Sequence, residues 1–347
     1  MAAKRKGLTY AAAGVDTAKQ KAAIKALTSS IRFHRTGRGA PLGGLSHFAG
    51  LIEFDKDVAL AVCTDGVGTK LEIAAATNKW DTVGIDCIAM NVNDCICVGA
   101  EPLAFVDYIA TREPDAGVAR AIGVGLNRGA ELANVTLAGG ETAILPELVN
   151  GWDLAGTAVG WVRRSRIVDG SKVRRGDVLI GLSSSGLHSN GYTLARRLLR
   201  EAGVHYAHKF PKTSRSIGDV LLEPTHVYVR EVLALLERVD VHGLANITGG
   251  GLKNVPRVNP EFRYVLSDPV PIPPLFQWLQ EVGSVEDAEM YRTFNMGMGF
   301  LAIVPESEET AARRILKPYS PTVVGRVEKG RGCVHEPLGL EFESKTG

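Results

Sequence analysis

The 347-residue chain is short of aromatic residues, at 6%, and short of apolar runs. No stretch approaches the roughly 20 apolar residues that cross a bilayer. The opening MAAKRKGLTYAAAG carries charge without a hydrophobic segment behind it, so neither a membrane span nor a secretory leader is expected. Charge of one sign is also lacking: 40 Lys and Arg against 38 Asp and Glu leave a formal net charge of +2. That balance argues against a nucleic-acid partner, which needs a basic surface. The five cysteines, Cys63, Cys87, Cys95, Cys97 and Cys333, have none of the CxxC spacing of a zinc site and read as reduced, buried thiols of a cytoplasmic protein. No Walker A loop, GxGxxG fingerprint, GxSxG elbow, short-period repeat or low-complexity tract is found.

Glycine is what the chain has in excess, 39 of 347 residues against a usual ~7%. The length suggests two domains. Residues 1–50 hold a helical stretch, Thr17–Ile31, and a basic glycine-rich tract, RFHRTGRGAPLGGLSHFAG, that reads as mobile. Residues 51–166 alternate strand, glycine turn and helix: VALAVC leads into TDGVGTK, Thr82–Val98 is an apolar helix, LAFVDYIA is a strand, Asp115–Ala133 a helix, and DLAGTAVGWV a strand. The charged segment Arg163–Asp177 breaks the pattern, and a second α/β unit, 167–347, begins with the strand VLIGLSSSG and a helix from Asn190 to Ala202. Further helices are expected over Val227–Arg238, Leu275–Glu281 and Glu306–Leu316, and strands at FRYVLS, GFLAIV and TVVGRVE.

Four glycine-bearing turns punctuate these elements: TDGVGTK (64–70), AGGET (138–142), SSSGLHSNG (183–191) and TGGG (248–251). Glycine lets backbone N–H groups approach an anion, and a helix that starts there adds a favourable dipole, so these are candidate phosphate cradles. In the first, Asp65 offers oxygens to a hard cation, Gly66 and Gly68 the backbone, Thr69 a hydroxyl and Lys70 a positive charge. Asn91, Asn93 and Asp94 interrupt an otherwise apolar helix, and a carboxylate buried there needs a metal or a partner. Gly140 and Glu141 add a third carboxylate on a glycine turn. Three acids from different elements suit Mg²⁺ held between nucleotide phosphates. His188 and Asn190, with no acid beside them, suit an organic substrate; Ser185 with His188 lacks the frame of a nucleophile elbow. Each feature also has an ordinary structural explanation, as a turn, a local cap or a satisfied histidine.

Taken in order, TDGVGTK, GIDCIAMNVNDCICVGAEPL, LAGGETA, SSGLHSNGYTLAR, EPTHVYV, ITGGGLKNVPRV and MYRTFNMGMG resemble the phosphoribosylformylglycinamidine cyclo-ligases, or AIR synthetases, over Leu8–Val327. The first two motifs are shared with a wider group that includes selenophosphate synthetase, thiamine-monophosphate kinase and hydrogenase maturation proteins; the later ones are more specific. The resemblance implies an α/β, two-domain AIR-synthetase-like fold, with the N-terminal sheet closing a barrel across a homodimer and a C-terminal mixed sheet with helices. It implies ATP-dependent closure of formylglycinamidine ribonucleotide to aminoimidazole ribonucleotide, by phosphorylation of the formamide oxygen and attack of the amidine nitrogen.

Carried over, the resemblance makes Asp65, Asp94 and Glu141 the Mg²⁺–ATP carboxylates, with Gly66, Gly68, Thr69, Lys70, Asn93 and Gly140 beside the nucleotide. Ser185, Gly186, His188, Asn190, Thr248, Gly249, Gly250 and Gly251 become substrate contacts, and His188 and Lys70 the residues nearest the chemistry. Two departures stand out: GGLSHFAG where many relatives have a GGFGG-like run, which leaves Arg38 and His47 as candidate phosphate contacts, and Asn246 before ITGGG where a histidine is common. Two other readings remain open on the sequence: a related small-molecule kinase, such as a thiamine-monophosphate kinase, and a nucleotide-binding regulatory protein without turnover.

Overall fold

Strand-forming runs on either side of the charged 163–177 segment build two separate sheets. A computed structural model describes residues 9–11, 13–43 and 47–343. Helix α1 (Thr17–Ser30) precedes a six-stranded sheet made of β1 (Pro41–Leu42), β2 (Gly50–Glu53), β3 (Val58–Gly66), β4 (Glu101–Thr111), β5 (Thr136–Ile144) and β6 (Trp152–Arg163), in the order β1-β2-β3-β6-β4-β5. All neighbours are antiparallel except β4 and β5. Helices α2 (Leu71–Thr77), α3 (Val83–Cys97) and α4 (Ala116–Ala133) belong to this half.

The second sheet contains β7 (Val178–Ser183), β8 (Gly243–Asn246), β9 (Phe262–Leu266), β10 (Met298–Val304), β11 (Thr322–Lys329), β12 (Gly332–His335) and β13 (Leu340–Phe342), in the order β13-β12-β9-β11-β7-β10-β8. Its helices are α5 (Tyr192–Glu201), α6 (Ile217–Leu221), α7 (Val229–Arg238), α8 (Pro274–Gly283), α9 (Asp287–Thr293) and α10 (Glu309–Ile315). The expected α/β class and mixed C-terminal sheet are present.

α3 is apolar all round, the mark of a helix with no solvent face, and it is buried along nearly its whole length. It packs on β3 and β6 of its own sheet and on β8 and α7 of the other. Helix α4 lies against it at very short range, because Gly84 and Gly125 meet where any Cβ would strike the facing backbone. Asp115 caps α4 by accepting the Val118 N–H at 2.8 Å.

Three expectations change. AGGET is not a turn: β5 runs straight through it as an edge strand, paired in parallel with β4 and accommodating a register shift opposite Phe105 and Val106. Part of the glycine-rich tract is ordered, since Pro41–Leu42 pairs with β2; residues 44–46 of that tract lie outside the described residues. TDGVGTK passes through a single 3-10 turn, Gly68–Lys70, directly into the short helix α2.

Candidate active site

Of the four glycine-bearing segments, 138–142 lies on the edge strand β5, whereas the other three, 64–70, 183–191 and 248–251, come together in the cleft between the two halves. Strand β3 delivers Asp65 and Gly66 to its rim, and the Val67 N–H donates to Leu154 O at 2.9 Å to end the pairing. The Asp65 carbonyl accepts from Asn91 Nδ2 of α3 at 3.1 Å, and its carboxylate accepts the Gly66 N–H at 2.7 Å. Gly68 has φ of 68°, which a side chain would strain. Thr69 is exposed, and its Oγ1 lies 3.0 Å from Thr193 Oγ1 across the cleft. Asp94, half-buried on α3, accepts from Asn246 Nδ2 of β8 at 2.8 Å. Ser189 Oγ donates to Val67 O at 2.8 Å.

From the other side, the 183–191 turn is held by a residue that the sequence motifs alone did not single out. Asn295, between α9 and β10, accepts from Ser184 Oγ (3.0 Å) and the Gly297 N–H (2.9 Å) and donates to Gly186 O (2.9 Å). Ser185 Oγ donates to Pro224 O at 2.6 Å, while its N–H donates to His188 Nε2 at 3.3 Å. His188 sits in the left-handed region (φ 60°), its ring edge-on to His226 and tilted against Tyr228. Burial first, then the neighbouring His226 and Lys70, holds its pKa well below the ordinary value, so the ring is neutral and accepts at Nε2. Asn190 is half-buried at the rim, its side-chain oxygen occupying the space a Gly249 side chain would need. Thr248, Gly249 and Gly250 are half-buried beside it. Gly251 (φ 53°) lies so close to the Tyr291 carbonyl that a Cβ would collide with it.

Several site assignments made from the sequence are altered by the geometry. Lys70 does not face the cleft: its side chain is 0% exposed, its ammonium 2.7 Å from Asp86 Oδ2, because the 3-10 turn points it inward. Asn93 does not border the nucleotide turn either. It donates to His226 O at 2.8 Å and accepts the Tyr228 N–H at 3.0 Å, so both ends of its amide tie α3 to the second half. Glu141 departs from Asp65 for a reason of register. Asp65 and Asp107 both pair with Gly156, and Asp107 with Gly140, so these share the face toward α3, whereas Glu141 pairs with Tyr108 on the opposite face. Gly140 is needed as glycine because the Asp107 carboxylate lies over it. Burial raises the Asp107 pKa.

Among the described residues no three His, Cys, Asp or Glu side chains stand together as a metal site, so the expected Asp65, Asp94 and Glu141 set does not assemble within one chain. Arg38 is occupied elsewhere, with Nε donating to Phe54 O at 2.8 Å. The His47 ring is packed by Phe48, and burial followed by the nearby Arg257 charge lowers its pKa to about 4. A cavity of about 760 Å³, bordered by Trp161, Arg163, Arg166, Lys172, Glu237 and Asp240, lies away from the cleft, and none of the four glycine segments contributes to its wall.

Comparison with known proteins agrees with this architecture. Residues 46–162 match the family model of the AIR synthase related protein N-terminal domain, and residues 174–336 that of the C-terminal domain. The chain is 51% identical to the phosphoribosylformylglycinamidine cyclo-ligase of Methanosarcina acetivorans over 89% of this chain and 92% of that one. It is 48% identical to the cyclo-ligase of Thermococcus gammatolerans over 96% and 100%. Among solved structures, a hydrogenase maturation protein HypE in complex with ATP superposes with a TM-score of 0.61 at 19% identity, over 85% of this chain and 88% of that one, a likeness of fold. The chain belongs to the phosphoribosylformylglycinamidine cyclo-ligase family of AIR synthase related proteins.

Proposed function

We propose that the chain catalyses the ATP-dependent ring closure of formylglycinamidine ribonucleotide to aminoimidazole ribonucleotide, ADP and phosphate. The observation that carries this reading is the single cleft in which the Asp65–Thr69 turn and Asp94 of the first half face the 183–191 and 248–251 segments of the second, joined by Thr69–Thr193 and Asp94–Asn246 contacts of 3.0 and 2.8 Å. One side offers carboxylates and a hydroxyl, the kit for a metal nucleotide, and the other neutral donors and bare backbone, the kit for an organic substrate and its phosphate. The relatives named as cyclo-ligases supply the reaction.

Magnesium asks for one or two carboxylates plus phosphate oxygens rather than a full protein cage, and Asp65 with Asp94 fits that demand while Glu141 does not. The ion, when bound, neutralises phosphate charge. The chain's own part is positioning. Gly66, Gly68 and Thr69 present backbone and hydroxyl to the phosphates, and Ser185, Gly186, Asn190 and Thr248–Gly251 hold the ribonucleotide. Keeping the attacking nitrogen against the formamide carbon supplies effective molarity, while transfer of the γ-phosphoryl group turns a poor oxygen leaving group into phosphate. His188, buried and neutral with Nε2 engaged, orients Ser185 rather than shuttling protons.

The division of labour follows the two units: 51–166 for ATP and self-association, 167–347 for the ribonucleotide. A homodimer is supported by the apolar face that the first sheet leaves bare, where Val62, Leu103, Val106 and Tyr108 are exposed. The five free cysteines suit a reducing, cytoplasmic setting, and among the described residues no helix is long and apolar enough to cross a membrane.

The test is a coupled ADP-release assay with Mg–ATP and formylglycinamidine ribonucleotide, read beside the coloured diazo product of aminoimidazole ribonucleotide. Both signals should rise together. ADP without aminoimidazole, or ADP released only with thiamine monophosphate, would replace this reading with a kinase, and nucleotide binding with no turnover would replace it with a regulatory protein.

A further inference from the structure

Beneath the cleft lies a pair of charges that the reaction chemistry does not use. The side chains of Lys70 and Asp86 are both 0% exposed, with Nζ 2.7 Å from Asp86 Oδ2, a charge contact rather than a well-directed hydrogen bond. Lys70 Nζ also donates to His188 O at 3.1 Å and to Glu223 O at 2.7 Å, and it lies 5.6 Å from the centre of the Tyr192 ring. Asp86 Oδ1 accepts both the Thr225 N–H (2.8 Å) and the Thr225 hydroxyl (2.6 Å). The two charged residues come from the first half, Lys70 from the end of the Asp65–Lys70 turn and Asp86 from the first turn of α3. Their remaining partners all come from the second half.

Those partners are the backbone on which the substrate-side turn is built. The His188 carbonyl is part of that turn, and Pro224, between the two clasped residues Glu223 and Thr225, accepts the Ser185 hydroxyl at 2.6 Å. The grip therefore reaches the 183–191 turn at two points, directly through His188 and indirectly through Pro224. Apolar packing could join the halves as firmly, but it slides; an ammonium with two backbone acceptors and a carboxylate with two donors, held together by their charge contact, fix direction as well as distance.

We propose that Lys70 and Asp86 form a buried charge clasp that sets the substrate-side turn in register with the Asp65–Thr69 turn, and so act as positioning residues for turnover without touching either ligand. This rests on the cleft being the reaction site proposed above. It also separates Lys70 from the role of phosphate contact that its place after a glycine turn suggests.

Two variants decide it, with wild-type ADP release in the presence of formylglycinamidine ribonucleotide as the baseline. An inactive wild-type chain would defeat the functional reading rather than the clasp. Thr225→Val keeps the backbone donor and the shape but removes one arm of the clasp. The double variant Lys70→Met with Asp86→Asn removes both charges together, so neither is left buried alone. In folded protein, confirmed by circular dichroism and an unfolding midpoint well above the assay temperature, kcat should fall several-fold for Thr225→Val and about a hundredfold for the double variant. The KM values for ATP and for the ribonucleotide should stay near wild type. Wild-type kcat in either folded variant would reduce the clasp to a structural anchor and overturn the proposal. A KM for ATP that rises with kcat unchanged would overturn it in favour of a phosphate contact. Should the double variant not fold, Thr225→Val carries the decision alone.

Discussion

Asp94 and Asn93 are neighbours on one helix, yet they do different work. Successive residues on an α-helix point about 100° apart, so only one of the two can look into the cleft. Asn93 turns toward the His226–Tyr228 backbone and Asp94 toward Asn246. The sequence makes both conspicuous as polar residues in an apolar helix, but it does not state which way each points, and the same blindness applies to Lys70. The spacing after the glycines brings Lys70 next to the nucleotide turn, while the 3-10 geometry carries its ammonium beneath it. Asp107, which shares a sheet face with Asp65, hides in the sequence as one acid in an apolar strand, and only the register of β3, β6 and β4 reveals the pairing. Replacing Asp94 by Asn keeps size and a hydrogen-bonding oxygen for Asn246 but removes the charge. Turnover should drop by about a hundredfold or more, the scale seen when one group that stabilises transferring charge is lost, with little change in the thermal midpoint. A steady-state assay across a range of Mg²⁺ concentrations checks it, and near wild-type activity would take Asp94 out of the site.

At the scale of elements, length decides what can be read. The apolar stretch Thr82–Val98 and the capped stretch Asp115–Ala133 become α3 (Val83–Cys97) and α4 (Ala116–Ala133) almost residue for residue, the first because its apolar run is too long for a strand and the second because several helical turns and the Asp115 N-cap agree. AGGET fails because two glycines read as a turn when the strand that holds them is an edge strand with few packed side chains to announce it. The five-residue α6 is too short to show periodicity, although Ser216 and Asp219 form a full capping box that its S-x-x-D spacing signals. The contact between α3 and α4 depends on glycines whose need is invisible without the partner helix. A Cβ on Gly84 would run into the backbone at Leu126, Gly125 and Ile122. Gly84→Ala, which should favour an isolated helix, is instead expected to destabilise the protein by about 1–3 kcal/mol through overpacking. Denaturant unfolding followed by circular dichroism measures this, and an unchanged or raised midpoint would mean that the two helices part at no cost.

The molecule as a whole should respond to acid through its buried histidines and to concentration through its bare sheet face. Burial lowers the pKa of His47 to about 4 and also pushes His188, His226 and His335 down. In the unfolded chain these rings take up protons below about pH 6.5, whereas in the folded chain they stay neutral to lower pH. The unfolded state then binds more protons, so stability is full above pH 6.5 and is lost as pH falls toward 4. Thermal midpoints recorded across that window should decline steadily, and a flat profile would mean that the rings are hydrated. The second response concerns the face of the first sheet away from α3. Val62 of β3 and Leu103, Val106 and Tyr108 of β4 are 37, 45, 41 and 40% exposed on the two strands that flank β6, and Val159 of β6, paired with Val62, places another apolar group between them. A contiguous apolar patch of this kind on a chain with near-zero net charge invites self-association. A two-fold pairing of the same face also covers it completely. Sedimentation at tens of micromolar should therefore give twice the mass of the chain. Val106→Asp should shift the population to monomer, because an acid directed into the paired face would be desolvated without a partner. A wild-type chain that sediments as a monomer at that concentration would leave the exposed face without its proposed cover and rule out the two-subunit barrel.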